Sequence, residues 1–397
     1  MINNGSTKKL KILNIHAGIS DKDIIKFLKK KVINQAIKLE EKENKIKEKF
    51  GEKSLFYSPR KLWVFFDEIN ICKSMGLISE IMCNHTYQGN PLPPNIVFIA
   101  ACCPYRQEEK NLMKSVRLNI KETHKELKNL NQKKIDIMEK YTNNNLVYNV
   151  NPLPHSLLNF VFNFGNLTEE DEKKYIYNMI LEPIKETFSQ NKNYIGKKLE
   201  DNGNFKSIHQ LALEMIVIAQ NFIRKHNDIS SVSLREINRF NIFYEFFFNY
   251  LSKKKEMDFN LIENRNIDNE KEDEEFYKKL NLMDLQFYSI TLAVFTCYYL
   301  RISNNKEREE LESELNKLIE KNNYSHKKNY KKFKELPEKE ETYIIENIEL
   351  EKGIIKNKAL KEIIFSLFVA INTKVPIFII GEPGCGKSLS VQLIIKQ

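Results

Sequence analysis

Eight residues close to the end of the chain, Gly381-Glu382-Pro383-Gly384-Cys385-Gly386-Lys387-Ser388, carry the spacing GxxxxGK[ST]. The pattern suits the binding of a phosphate chain. Glycines let the backbone curl into a concave nest whose N–H groups converge on anionic oxygens, and a helix opening at the last glycine points its positive end at the same spot. Lys387 is placed to neutralise the β- and γ-phosphates of a nucleotide and Ser388 to ligate Mg²⁺. The flanks agree, because the apolar run 375–380 predicts a buried strand and the run 389–395 predicts a helix.

A second group of chemically capable residues lies far upstream. The run Leu62-Trp63-Val64-Phe65-Phe66-Asp67-Glu68-Ile69-Asn70 is an apolar strand that ends in two adjacent carboxylates. In a nucleotide hydrolase the first acid, Asp67, holds the Mg²⁺ shell and the second, Glu68, polarises the attacking water. A neighbouring apolar run, 95–100, leads into Cys102 and Cys103. Its C-terminal end is where an α/β sheet places a polar side chain between water and phosphate. Within one phosphate-loop domain the loop sits on the first strand and the acidic strand follows it. Here the order is reversed across most of the chain, so the two motifs read as halves of two successive modules.

The elements that must position these groups follow from periodicity. Apolar runs at 63–66 and 95–100 read as buried parallel strands with a helical stretch over 75–82 between them, while 10–15 is a short, mostly apolar run followed by helical spacing over 21–38. Three prolines in 90–94 mark a turn that re-enters the sheet. A polar stretch, 107–141, reads as a helical excursion, and 146–150 as a further short strand. From Pro152 onward helical spacing dominates, over 157–164, 169–184, 208–226 and 233–251. The segment 252–275 reads as a charged linker, 282–301 as a buried helix and 307–323 as an exposed one. The aromatic cluster Phe240, Phe243, Tyr244, Phe246, Phe247, Phe248 and Tyr250 reads as core.

Composition sets outer limits. The chain has 397 residues, 42% hydrophobic and 29% charged, with 63 basic and 53 acidic residues for a net charge of +10. That is a folded chain with room for two or three domains. The positive excess is dispersed, and lysine, asparagine and isoleucine recur everywhere, so nucleic acid is not an expected partner. Six cysteines form no CxxC pair and no histidine stands at zinc spacing, so a zinc module is not expected. The start lacks an apolar signal segment and the apolar stretches 285–300 and 360–380 do not suit a membrane span, which leads to the expectation of a cytoplasmic chain without a transmembrane segment.

These residues resemble the AAA+ ATPases, and more closely the mysterin-like giant AAA+ RING E3 ubiquitin ligases, which have a dynein-like row of AAA+ modules. The resemblance is carried by LWVFFDEIN (62–70), MGLISEIMCNHTYQGNPLPPNIVFIAACCPYR (75–106), LVYNVNPLPHSLLNFVFNFGNLTEEDEKKYI (146–176), SSVSLREINRF (230–240), CYYLRIS (297–303) and KVPIFIIGEPGCGKSLS (374–390). It implies an α/β fold with a parallel-sheet nucleotide domain, a helical lid and the start of a second AAA+ module.

The implied boundaries are 1–150 for a large subdomain lacking its Walker A loop, 151–251 for the lid, 252–280 for a linker, 281–350 for a helical connector and 351–397 for the next module's start. By position, Asp67 and Glu68 match the Walker B pair and Arg235 the sensor 2 arginine. Gly381, Gly384, Gly386, Lys387 and Ser388 match the Walker A loop of the following module, with ATP and Mg²⁺ as cofactors. At the sensor 1 position Cys103 replaces the asparagine of AACNPYR, and a thiol is a poor partner for a lytic water. Arg106 is a weak match to an arginine finger. The implied partners are neighbouring AAA+ modules and, through domains outside this chain, the ubiquitin machinery. Three alternatives stay open: a nonenzymatic scaffold, a dynein- or MoxR-like ATPase without ligase activity, and a basic nucleic-acid-dependent ATPase whose binding to DNA or RNA would fall steeply with salt.

Overall fold

The structure, a computed structural model, describes residues 9–50, 61–103, 150–165, 167–189, 203–227, 231–256, 276–322, 332–348, 354–381 and 384–396. The chain divides into two compact units, residues 1–165 and 166–397.

The first unit is built on a parallel sheet of β1 (Leu10–Asn14), β2 (Leu62–Asp67) and β5 (Ile96–Ala100), in the order β1-β2-β5. β2 and β5 are the apolar runs that the sequence marks as strands, and the short apolar run 10–15 supplies β1. Leu62, Val64 and Phe66 point to one face, which is covered by Ile24, Phe27 and Leu28 from the first helical stretch and by Leu77, Ile78 and Ile81 from the second. That first stretch runs from α1 (Asp21–Phe27) through a π-helical turn (Leu28–Ile33) into α2 (Asn34–Phe50), and the second opens with α3 (Met75–Ser79). Ser20 and Asp23 cap α1, the Ser20 hydroxyl donating to Asp23 Oδ2 at 2.7 Å. On the other face Leu10, Ile12, Trp63 and Ile99 stay exposed among the described residues.

A two-residue hairpin of β3 (Thr86–Tyr87) and β4 (Asn90–Pro91) ends on the first of the three prolines, and the chain then turns at 94–95 into β5. Gln88 and Gly89 both take positive φ, at 50° and 74°, as a hairpin turn of matching twist requires. The expected helix over 157–164 is corrected to α4 (His155–Leu158), four residues long. Beyond it the Asn163 side chain accepts from the Gly165 N–H at 2.9 Å, a local bond that competes with helical pairing. Phe160, Phe162 and Phe164 are left exposed, the last at 94%. Residues 104–149, which include the expected helical excursion and Arg106, lie outside the described residues.

The second unit is helical among its described residues: α5 (Glu169–Ser189), α6 (Gly203–His226), α7 (Arg235–Glu256), α8 (Leu282–Cys297), α9 (Asn305–Lys321), α10 (Glu335–Glu346), α11 (Lys358–Thr373) and α12 (Lys387–Ile395). α8 is apolar all round and buried, and it packs chiefly on α7. The aromatic cluster of α7 lies where a core reading puts it, with Phe240, Phe243, Tyr244, Phe247 and Phe248 buried and Phe246 and Tyr250 packed against them.

Two expectations in this unit are corrected. α9 is amphipathic, burying Leu311, Leu315, Leu318 and Ile319, where an exposed helix was expected. Residues 375–380 form no strand, and Phe378 is 89% and Ile380 88% exposed. A strand is a shared object, and no described strand pairs with this one. Pro376 also removes a donor from any ladder it could join.

Candidate nucleotide-binding residues

The acid pair sits at the C-terminal end of β2. Asp67 closes the ladder, its carbonyl accepting from the Ile15 N–H at 3.0 Å. Glu68 then turns the chain out of the sheet in the left-handed region, at φ 57° and ψ 45°. A non-glycine residue there is conformationally costly, by about 1 kcal/mol or more, and such positions gather at functional sites. Both acids are half-buried at the rim of the sheet.

The turn that follows is held by main chain and amide groups. The Ile69 N–H donates to the Ala101 carbonyl at 3.0 Å, and the Ala101 N–H to the Phe66 carbonyl at 2.9 Å. Asn70, fully buried, uses both ends of its amide on Cys103: Nδ2 donates to the Cys103 carbonyl at 2.8 Å and Oδ1 accepts from the Cys103 N–H at 3.0 Å. Asn151 closes the other side, its Nδ2 donating to the Cys72 carbonyl at 2.9 Å and its N–H to the Asn70 carbonyl at 2.6 Å. The structure thereby brings Asp67, Glu68 and Cys103 to neighbouring strand ends. Asn70 and Asn151 carry no chemistry of their own and escape a motif search; the signal for Asn70 is its place two residues after the acid pair.

Arg235 lies in the other unit. It is the first residue of α7, exposed, with its N–H on the Ser233 hydroxyl at 3.2 Å. Ser233 and Glu236 cap that helix, the Ser233 N–H donating to Glu236 Oε2 at 2.7 Å.

The glycine-rich loop also belongs to the second unit. Gly384 and Gly386 take φ of 85° and 87°, a conformation that needs glycine, and Gly386 caps α12. A Cβ on Gly381 would stand 2.7 Å from Cys385 Sγ, so the loop closes tightly on itself. Lys387 Nζ donates to the Gly381 carbonyl at 2.6 Å and lies 3.5 Å from Cys385 Sγ. Ser388 is exposed on the first turn of α12, while the Ser390 hydroxyl is used internally, on the Gly386 carbonyl at 2.8 Å. Left-handed glycines, an open helix N-terminus, a lysine at its first position and an exposed hydroxyl at its second fit a phosphate chain with a divalent cation. Glu382 and Pro383 lie outside the described residues.

The acid pair and the glycine loop thus fall in different compact units of the chain. No helix among the described residues is long and apolar enough to cross a membrane.

Comparison with known proteins agrees with the motif that the loop carries. Residues 353–397 match the RNF213 AAA domain family. The chain is 27% identical over 341 residues to the E3 ubiquitin-protein ligase RNF213 of Homo sapiens, a stretch covering 83% of this chain. It is 24% identical over 412 residues to rnf213-beta of Danio rerio, also named an E3 ubiquitin-protein ligase, covering 98% of this chain. In both cases it spans 6% of the relative's length. The similarity to the RNF213 ligases covers most of the chain, and the stretch that matches the RNF213 AAA domain family takes in the glycine loop: the chain resembles a fragment of RNF213.

Proposed function

We propose that this chain is an ATP-binding AAA+ segment of a mysterin-like ubiquitin ligase, in which the nucleotide state sets the conformation of a ring of modules. The loop 381–388 is the Walker A element of one module, with Lys387 on the β/γ-phosphates and Ser388 on Mg²⁺. Asp67 and Glu68 are the Walker B pair of an earlier module, Cys103 stands at its sensor 1 position and Arg235 at its sensor 2. Mg²⁺, when bound with ATP, supplies the positive charge that offsets the phosphates. Ubiquitin transfer is attributed to other parts of the full-length relatives, and neighbouring AAA+ modules are the expected partners.

The observation that supports this reading is the paired left-handed glycines opening α12 at Lys387. The test is MgATP affinity of the 397-residue chain, measured by titration calorimetry. Lys387→Ala is expected to weaken binding at least about tenfold, because the ammonium is the strongest cation at the nest. Equal affinities for both proteins overturn the nucleotide reading and leave a nonenzymatic scaffold. Turnover is expected far below the ~1 s⁻¹ of an ordinary slow enzyme. A rate near that value, lost on Lys387→Ala, overturns the division into two modules.

A further inference from the structure

Two glutamates stand side by side on α10 in opposite circumstances. Glu340 is fully buried and fully used. Its Oε2 accepts from Lys254 at 2.7 Å and from the Tyr250 hydroxyl at 3.0 Å, its Oε1 from the Tyr277 hydroxyl. Lys254 in turn lies 3.4 Å from the Tyr343 ring centre. Glu341 is only 4% exposed, and its Oε1 is a buried oxygen with no hydrogen-bond partner among the described residues.

The cations near Glu341 are paired with other carboxylates. Arg308 of α9 is already committed, donating to Glu362 of α11 at 2.7 Å and to the Ile302 carbonyl at 2.6 Å. Lys358 of α11 also leans on Glu362, at 3.9 Å, and Glu338 of α10 pairs with Lys334 at 2.8 Å. Glu341 thus stands buried, under the influence of the Glu362 and Glu338 charges, while the nearby cations are engaged with those carboxylates. An ionised oxygen is strongly disfavoured when left unsatisfied in such a place, and a group so placed takes up a proton instead.

The location gives that proton leverage. α10 packs on α11, and α11 packs on α12, the helix that carries Lys387. We propose that Glu341 is a proton-operated latch: in its neutral form α10 beds onto α11, and in its ionised form that contact loosens, together with the support of the phosphate loop. The link to the phosphate loop rests on the nucleotide reading given above; the latch does not.

Burial, reinforced by the Glu362 and Glu338 charges and opposed by Lys358 and Arg308, pushes the Glu341 carboxyl up from 4.5 to about 8. A raised value means that the folded chain holds the proton that the unfolded chain gives up. The latch is therefore fully favourable below about pH 4.5 and weakens as pH rises through 8, opposite to an ion-paired carboxylate.

The test is urea unfolding of the 397-residue chain across pH 5.5 to 9, for the wild type and for Glu341→Gln, which imitates the protonated form. The ratio of their unfolding constants should climb about tenfold per pH unit and level off near 8. A ratio that stays constant overturns the latch. Should Glu341→Gln not fold, Glu362→Gln serves: it removes a like charge, so the break in the pH profile must move to lower pH, and an unmoved break overturns the proposal. MgATP affinity should fall at least about threefold from pH 6.5 to 8.5 in the wild type and stay level in Glu341→Gln; equal pH dependence in the two overturns the link to the loop. No MgATP binding at either pH overturns the nucleotide reading, and the unfolding ratio still judges the latch.

Discussion

Asn70 and Cys103 are joined by two hydrogen bonds of 2.8 and 3.0 Å, side-chain amide against main chain, which tie the turn after β2 to the end of β5. The acid pair therefore has a fixed position relative to the neighbouring strand. Replacing Asn70 with alanine removes both bonds and leaves the half-buried Cys103 N–H without its acceptor. The expected cost is about 2–4 kcal/mol of stability in the first unit, read by thermal unfolding monitored at Trp63.

At the glycine loop the prediction concerns space. A methyl group at Gly381 meets Cys385 Sγ at 2.7 Å, well inside contact distance. Gly381→Ala should weaken MgATP binding several-fold by opening the loop. Adding Cys385→Ala removes the obstructing sulfur and should restore most of the affinity, as a double-mutant cycle by calorimetry will show.

Lys254 and Glu340 form a buried ion pair at 2.7 Å between α7 and α10. Lys254→Met strands the Glu340 charge and should destabilise the second unit by about 3–5 kcal/mol. Lys254→Met combined with Glu340→Leu removes both charges and should recover a large part of that loss. Urea midpoints of the three proteins decide it; a double variant less stable than the single one would contradict the argument.

The six thiols should react in order of their surroundings. Cys385 and Cys102 are exposed, Cys83 and Cys103 half-buried, Cys72 and Cys297 buried. Burial pushes the Cys297 thiol up to about 12, so it is protonated as well as covered. A disulfide-exchange reagent at pH 8 should modify Cys385 first and leave Cys72 and Cys297 intact until denaturant is added, as peptide mapping will report.

The sequence made legible whatever repeats with a period or obeys a motif. The three parallel strands show as apolar runs because the pleated face against α1 and α3 must be filled, and α7 shows because Phe240, Phe243, Tyr244 and Phe247 return on one side. What stayed hidden depends on partners distant in the chain. The run 375–380 has a strand's composition, yet no described strand receives it, and 157–164 has apolar residues enough for a helix until Asn163 takes the Gly165 N–H. The acid pair and the glycine loop announce themselves by spacing. The amide clamp of Asn70 and Asn151 does not, nor does Glu341, because a glutamate in a charged helical stretch looks the same whether water or protein surrounds it.

α8 has no wet side, since residues 284 to 295 are all buried by the helices around them. Such a helix has no independent existence: it is the filling of a mould that its neighbours supply. Any protease nick or shortened version that removes one wall of the mould uncovers a continuous greasy rod, so intermediate lengths of this unit should precipitate where the whole unit stays dispersed. Limits for expressing it must therefore be drawn outside α5 on one side and α11 on the other, never between them.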